Sequence, residues 1–138
     1  MKKFFCSLFL ITTVFISALN ANEYAIVSSK SMQNISLGQI KALYLKKTLY
    51  IGEKKIVPLN LQAKDTIRKS FERNVLHMSF NRLKSYWSKQ HYLGHRPPIT
   101  MKSEKSIKAF VKKIDGAIGY LELSKVDNNL KILYKWSE

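Results

Sequence analysis

Cysteine, proline and glycine are scarce in this sequence of 138 residues, which has one Cys, three Pro and five Gly. The one cysteine, Cys6, lies in an apolar run at the N-terminus. A chain that lost this run would have neither a disulfide nor a thiol nucleophile, which excludes a disulfide-stabilised domain and a cysteine enzyme. The 46% of apolar residues argues against wholesale disorder, and the length predicts one domain.

Acidic residues are also few, because nine Asp and Glu stand against 24 Lys and Arg, a formal net charge of +15. A surface of this charge attracts anions in general, among them phosphate, nucleic acid and acidic lipid headgroups. Charge alone does not select one of these. The basic residues are spread along every predicted helix, where a solvated face is the ordinary interpretation.

The sequence has none of the common catalytic or cofactor-binding motifs: no HExxH, GxSxG, Walker loop or GxGxxG. Its three histidines, His77, His91 and His95, have no partners at metal-ligand spacing, and its acids are scattered. We therefore expect a protein that is not an enzyme and that holds no cofactor and no metal.

The one long apolar run is typical of a secretory signal peptide. Lys2 and Lys3 precede an apolar stretch, 4–18, and "SALNA" then supplies small residues for cleavage after Ala21. The run is shorter than the ~20 residues that span a bilayer, although an uncleaved anchor is the alternative. We predict a signal peptide over 1–21, a domain over 22–138 and a periplasmic location, with membrane contact only through the signal peptide.

Cleavage would leave 22 basic and nine acidic residues, a net charge of +13. Export argues against nucleic acid as a partner in spite of this charge. The expected product is a small, strongly cationic, exported domain.

Hydrophobic periodicity predicts the order β-α-β-α-α-α-β-β and an α/β fold with a mixed sheet. Ser36 with Gln39 forms a capping-box pattern, and Ser79 and Ser103 are further N-cap candidates. The segment 94–100, with two prolines, is predicted as a loop. The predicted strands are 23–29, 55–61, 117–123 and 131–136, and the predicted helices are 36–45, 63–76, 80–93 and 104–114.

The first candidate site is "NLQAKDTIR", 60–68, where a strand meets a helix. The unpaired N–H groups and dipole of a helix start are a natural seat for an oxyanion. Lys64 and Thr66 would add charge and a hydroxyl, and Arg68 lies one turn further along. The alternative is that Asp65 or Thr66 only caps the helix while the cations face water.

The second candidate is the loop "GHRPP". His95 and Arg96 stand between a glycine and two prolines, so their backbone is stiff, and Arg suits bidentate contact with phosphate or carboxylate. A rigid surface loop without a ligand is the alternative.

The aromatic residues of the second half offer a third feature. Tyr86, Trp87, Tyr92 and Trp136 occur at spacings that are more typical of a core than of a binding platform. We therefore predict that these side chains are packed inside the domain.

Taken in order, the segments "LGQIKALYL", "YW" followed by a glycine, and "GAIGY" resemble the small phosphate-ABC-transporter substrate-binding-like proteins. These belong to the type 2 periplasmic binding protein superfamily, and the resemblance covers roughly 24–125. It implies a single α/β lobe with a mixed sheet of about four or five strands flanked by helices. It also implies an oxyanion held by a strand-to-helix turn and neighbouring loops.

The resemblance gives the glycines of "DGAIGY" structural roles. Gly116 would be a helix C-cap, and Gly119 would let a backbone or ligand approach the strand. The sequence departs from the full-length receptors at 60–66, where "NLQAKDT" replaces an Arg and a Ser-Gly-Thr run. It also supplies about one lobe, whereas such receptors close two lobes around the ligand.

These features together predict an exported binding protein for phosphate or a related oxyanion, with an ABC permease or an envelope protein as its partner. Lys64, Thr66 and nearby amides would seat the anion. Asn60 and Gln62 would orient the anion, and Arg68 would add a further contact. His95 and Arg96 would close over it from the adjoining loop. The alternative is a cationic cell-envelope interaction protein with no small-molecule ligand.

Overall fold

A mixed β-sheet with helices on both faces forms the centre of the protein in this computed structural model, which describes residues 21–138. The predicted signal peptide, with Cys6, lies outside the described residues apart from Ala21. The strands are β1 Glu23–Ser29, β2 Tyr50–Ile51, β3 Lys54–Lys55, β4 Val57–Asn60, β5 Ile99–Thr100, β6 Ala117–Glu122 and β7 Leu130–Ser137. The helices are α1 Leu37–Tyr44, α2 Thr66–Phe71, α3 Phe80–Tyr92 and α4 Glu104–Lys113, with a π-helical turn at Glu72–Leu76 and a 3₁₀ turn at Leu123–Lys125.

Five strands form the main sheet in the order β5-β4-β6-β1-β7, and β2 and β3 form a separate hairpin. β4 runs parallel to β5 and β6, whereas β1 runs antiparallel to β6 and β7. This confirms the predicted α/β fold with a mixed sheet of four or five strands. None of the helices in residues 21–138 has the length and apolar character that crossing a bilayer requires.

The helices cover both faces of the sheet. Successive strand residues point to opposite faces. In β6, Gly119 faces Ile107 of α4, whereas its neighbour Tyr120 stacks on Phe71 of α2 with ring centroids 4.3 Å apart. α4 therefore covers one face, and α2 covers the other.

Three of the four helix starts predicted from sequence are confirmed, whereas the helix predicted from 63 begins at Thr66. Ser36 and Gln39 form a reciprocal capping box, in which the Ser36 Oγ accepts from the Gln39 N–H at 3.2 Å and the Gln39 Oε1 accepts from the Ser36 N–H at 2.8 Å. Ser79 and Ser103 cap α3 and α4 in the same way, through their hydroxyl oxygens. Each cap satisfies N–H groups that a helix start would otherwise leave unpaired.

Four aromatic side chains form the centre of the core between the sheet and α2. Tyr44, Phe71, Tyr120 and Trp136 are buried and in mutual ring contact. The core prediction is therefore right for Trp136. It is wrong for Tyr92, which is 90% exposed, while Tyr86 and Trp87 are half-buried.

Three predicted segments differ from the structure. The strand predicted over 55–61 is divided, because the Ile56 N–H turns away to donate to the Leu49 carbonyl at 2.9 Å. The helix predicted over 63–76 continues beyond Phe71 as a π-helical turn. The predicted loop 94–100 contains β5, which is a strand because it pairs in parallel with β4. Its two residues are too few to show a strand pattern in the sequence.

The two glycines of "DGAIGY" have different surroundings from those implied by the resemblance. The C-cap of α4 is Ile114, and Gly116 lies two residues later in a turn, at a left-handed φ of +88°. Its carbonyl accepts from the Val57 N–H at 2.9 Å, which starts the pairing of β4 with β6. Gly119 makes room for the side chain of Ile107, not for a backbone or a ligand.

We expect Gly119→Ala to destabilise the fold. A Cβ at this position would lie less than 3.0 Å from the Ile107 Cγ2, a separation that real Cβ atoms essentially never show. Overpacking of this kind costs about 1–3 kcal/mol of the free energy of unfolding. Urea unfolding followed by circular dichroism would measure the change.

Gly38→Ala is the matched control, because the new Cβ on exposed α1 would meet only the Ser36 Oγ, at 3.8 Å. Its stability should stay the same or rise by up to about 1 kcal/mol, since Ala favours a helix over Gly. Equal stability of the Gly119→Ala variant and the native protein would contradict the proposed close packing of α4 on β6.

Candidate functional site

The chain leaves the carboxyl ends of β4 and β5 toward opposite faces of the sheet. β4 leads into α2, and β5 leads into α4, which covers the other face. A crevice forms at such a switch point in α/β sheets, and it is where their ligands usually bind. A cavity of about 270 Å³ opens beside the end of β4 at this crevice.

Asn60, the last residue of β4, lies at the base of this cavity and is 8% exposed. The Tyr120 hydroxyl donates to the Asn60 Oδ1 and accepts from the Leu61 N–H at 3.0 Å. Burial raises the pKa of Tyr120 well above its ordinary value, so this hydroxyl keeps its proton and acts as a fixed donor. With its oxygen held by Tyr120, Asn60 has its amide nitrogen left to donate to a ligand.

Arg68 reaches the same cavity from α2, but its charge is already paired. Its Nε donates to the Glu72 Oε1 at 2.7 Å, and its Nη1 donates to the Leu61 carbonyl at 2.8 Å. The two side chains are 20% and 14% exposed, so the pair is mostly shielded from water. Lys84 of α3 adds a second cation to the cavity wall. Two cations and one carboxylate leave a net charge of +1 there.

The start of α2 is capped by a carboxylate. The Asp65 Oδ1 accepts from the Ile67 N–H at 2.8 Å, and α2 itself has six residues. A negative charge at this position competes with any anion for the same N–H groups. The geometry therefore agrees with the capping alternative for 60–68.

The other predicted site residues lie outside this cavity. Lys64 lines a larger neighbouring cavity of about 990 Å³, and Gln62 and Thr66 are exposed. In the GHRPP loop, His95 and Arg96 are exposed, and the His95 Nδ1 lies 2.7 Å from the Gln90 Oε1. Of the predicted site residues, the structure thus brings Asn60 and Arg68 together in this cavity. The GHRPP loop contributes Pro98 to its lining.

Several residues in and next to the cavity were not predicted. Tyr120 does not line the cavity but holds Asn60 in place, and nothing in its strand pattern marked its hydroxyl for this role. Phe80, Lys84 and Trp87 do line the cavity. Their spacing of four and three residues places them on one face of α3, which is a signal that the sequence does contain. Within residues 21–138, no group of three or more His, Cys, Asp or Glu side chains could hold a metal ion.

The sheet order, the covered faces and the crevice define a lobe of the periplasmic-binding-protein type, which confirms the fold implied by the sequence resemblance. Seven chains of solved structures are similar to it, among them three phosphate transport proteins. No family model matches the sequence, and no curated protein matches it either.

One is an ABC-type phosphate transport receptor from Vibrio cholerae, with 17% identity and a TM-score of 0.64, over 82% of this chain and 46% of the receptor. A second is a protein assigned as a phosphate ABC transporter substrate-binding protein, with bound phosphate, from Clostridium perfringens. It has 19% identity and a TM-score of 0.66, over 82% of this chain and 44% of that one. The third is PstS from Borrelia burgdorferi, with 16% identity and a TM-score of 0.59, over 82% and 47%. This chain therefore spans less than half the length of each protein.

We expect Tyr120→Phe to destabilise the fold by about 1–3 kcal/mol, because it leaves the buried Leu61 N–H and Asn60 Oδ1 without their shared partner. Tyr134→Phe, which removes a hydroxyl from a half-buried position on β7, should change stability by less than about 0.5 kcal/mol. Chemical denaturation of the two variants would compare them. Equal small effects would show that the Tyr120 hydroxyl does not support the end of β4.

Proposed function

We propose that the protein is an exported binding protein that recognises a small oxyanion, phosphate or a related ion, at the crevice beside the end of β4. The observation that carries this proposal is that Asn60 and Arg68 line one cavity at the switch point of the sheet. The proposal rests on these two residues and on Lys84. It does not need Gln62, Lys64, Thr66, His95 or Arg96 as direct ligands.

In this proposal, the amide nitrogen of Asn60 and the guanidinium of Arg68 donate to the oxygens of the anion. Glu72 holds the Arg68 side chain in position through the 2.7 Å ion pair, but it also neutralises the positive charge of Arg68. Lys84 supplies a further positive charge in its place. Phe80 and Trp87 form apolar walls, which reduce the screening of these charges by water. The net charge of +1 favours modest affinity over tight capture.

The open crevice has a consequence for affinity. A lobe of this size covers one side of a ligand, and this chain covers less than half of each solved structure with this fold. We propose that a partner closes the site, either an ABC permease or another envelope protein. The signal peptide over 1–21 and the periplasmic location are part of the same proposal.

A cationic envelope protein with no small-molecule ligand is the second candidate, and the excess of basic residues favours it. The two candidates differ in their response to salt. Diffuse attraction between exposed charges is screened over ~10 Å at 0.1 M salt, whereas groups in a partly buried cavity are screened less.

Calorimetry with inorganic phosphate and with sulfate at low salt tests the proposal. We expect saturable binding of one anion per chain. Asn60→Ala should weaken it about tenfold or more, because a hydrogen bond to a charged group contributes about 1.5–3 kcal/mol. Lys84→Met, at an exposed position, should weaken binding several-fold without changing the fold.

Lys113→Met is the control, because it removes an equally exposed cation from the last turn of α4. It should leave the affinity unchanged. The proposal would be wrong if folded native protein bound neither anion, or if the Lys84 and Lys113 variants lost the same affinity.

A further inference from the structure

A third cavity, of about 570 Å³, lies between the C-terminal end of α1, the end of the π-helical turn and α3. Its floor is held by Tyr86, whose hydroxyl donates to the Leu45 carbonyl at 2.5 Å, and by the buried Leu76. The volume falls in the range of about 300–1,000 Å³ that is usual for ligand sites. It is about twice the volume of the cavity beside Asn60.

The polar lining of this cavity is basic. Lys41 comes from α1, Lys47 from the loop that follows it, and Arg82 and Lys89 from α3. We name these four residues the basic groove. His77 and the Ser85 hydroxyl complete the polar lining, and no Asp or Glu contributes to it.

The cations of the basic groove are not compensated by nearby acids. None of the four pairs with a carboxylate within residues 21–138. Elsewhere the same structure does pair its lysines, as in Lys54 with Asp115 and Lys125 with Glu104. Unpaired cations also occur elsewhere, as at Lys102 and Lys113, so the distinctive property of this groove is that four of them line one cavity to which no carboxylate contributes.

The sequence explains this local property. No Asp or Glu occurs between Glu23 and Glu53, or between Glu72 and Glu104. These two acid-free segments carry ten Lys and Arg, and the fold packs them against each other where α1 meets α3. Like charges that share low-dielectric walls reinforce one another and raise the local concentration of anions.

The backbone on both sides of the groove is unusual. Lys46 and His77 are the only residues other than glycine with a left-handed φ in residues 21–138, at +58° and +53°. Lys46 follows α1 next to Lys47, and His77 ends the π-helical turn. Burial, and then the charge of Lys55, lowers the pKa of Lys46, as expected for an amine in a crowded positive region.

We infer that the basic groove is a binding site for an anion with several phosphate groups, separate from the crevice beside Asn60. Four cations distributed around 570 Å³ exceed what one oxyanion needs, and they suit a ligand that carries a charge at several points. Several phospholipid headgroups side by side at a membrane surface share this chemistry with a soluble polyphosphate, and the test distinguishes the two sources.

The test uses tripolyphosphate in calorimetry, and vesicles of phosphatidylglycerol with phosphatidylcholine in sedimentation. A groove variant combines Lys41→Gln, Lys47→Gln, Arg82→Gln and Lys89→Gln. The matched control combines Lys102→Gln, Lys105→Gln, Lys113→Gln and Lys135→Gln, which are exposed lysines without a carboxylate partner among the described residues. Both variants remove four positive charges, so they differ only in where the charge is lost.

We expect one-site binding of tripolyphosphate that the groove variant weakens at least about tenfold and the control by less than about threefold. This result would indicate a soluble polyphosphorylated ligand. Vesicle binding that depends on the groove, without tripolyphosphate binding, would indicate a lipid headgroup. Equal losses in the two variants, or no binding of either probe by the folded protein at low salt, would overturn the inference.

Lys84→Met separates this site from the crevice. It should leave tripolyphosphate binding within about threefold of native, because Lys84 lines the crevice and not the groove. The groove variant should in turn keep its binding of inorganic phosphate. Loss of tripolyphosphate binding in the Lys84 variant would contradict a separate site.

Discussion

The hydroxyl of Tyr120 connects the middle of the sheet to the crevice. It is one oxygen with two partners, the Leu61 N–H and the Asn60 Oδ1, and both partners belong to the end of β4. The ring below it stacks on Phe71 and contacts Tyr44 and Trp136, so it cannot move without disturbing the core. A polar group at the rim of the sheet is thus held by apolar packing at its centre. Because burial keeps the hydroxyl protonated, the arrangement does not change over the ordinary range of pH.

Much of the fold could be predicted from local patterns, because local physics determines those elements. Ser36, Ser79 and Ser103 marked three helix starts, and the sequence patterns of 23–29 and 117–123 marked two strands. β5 and the division of the strand at Ile56 could not be predicted in the same way. Both depend on residues elsewhere in the chain, because β5 pairs with β4 and the Ile56 N–H donates to the Leu49 carbonyl.

The candidate site was predictable only in part. The switch from strand to helix at 60–68 identified Asn60 and Arg68, because both lie near the carboxyl end of a buried strand. The i, i+4 spacing of Arg68 and Glu72 on one helical run is a signal for their ion pair that the sequence does contain. The chain pattern could not show that α3 would bring Lys84 over the same cavity, because that contact depends on how the helices are placed in the fold. The fold also determines where charges meet, since Asp127 pairs with two lysines of α4, whereas four unpaired cations line one cavity between α1 and α3.

The position of β1 has a consequence for the way in which the chain can be made. This strand contains the earliest described residues of the sheet, yet it lies between β6 and β7, which come from the last part of the sequence. Its pairs join Tyr24 to Glu122 and Glu23 to Ser137, so nearly the whole polypeptide must be synthesised before β1 has a neighbour in the sheet. Contacts this distant in sequence slow folding. A nascent chain with this topology stays unfolded for a long interval, which is the state in which a polypeptide can be threaded through a narrow translocation channel.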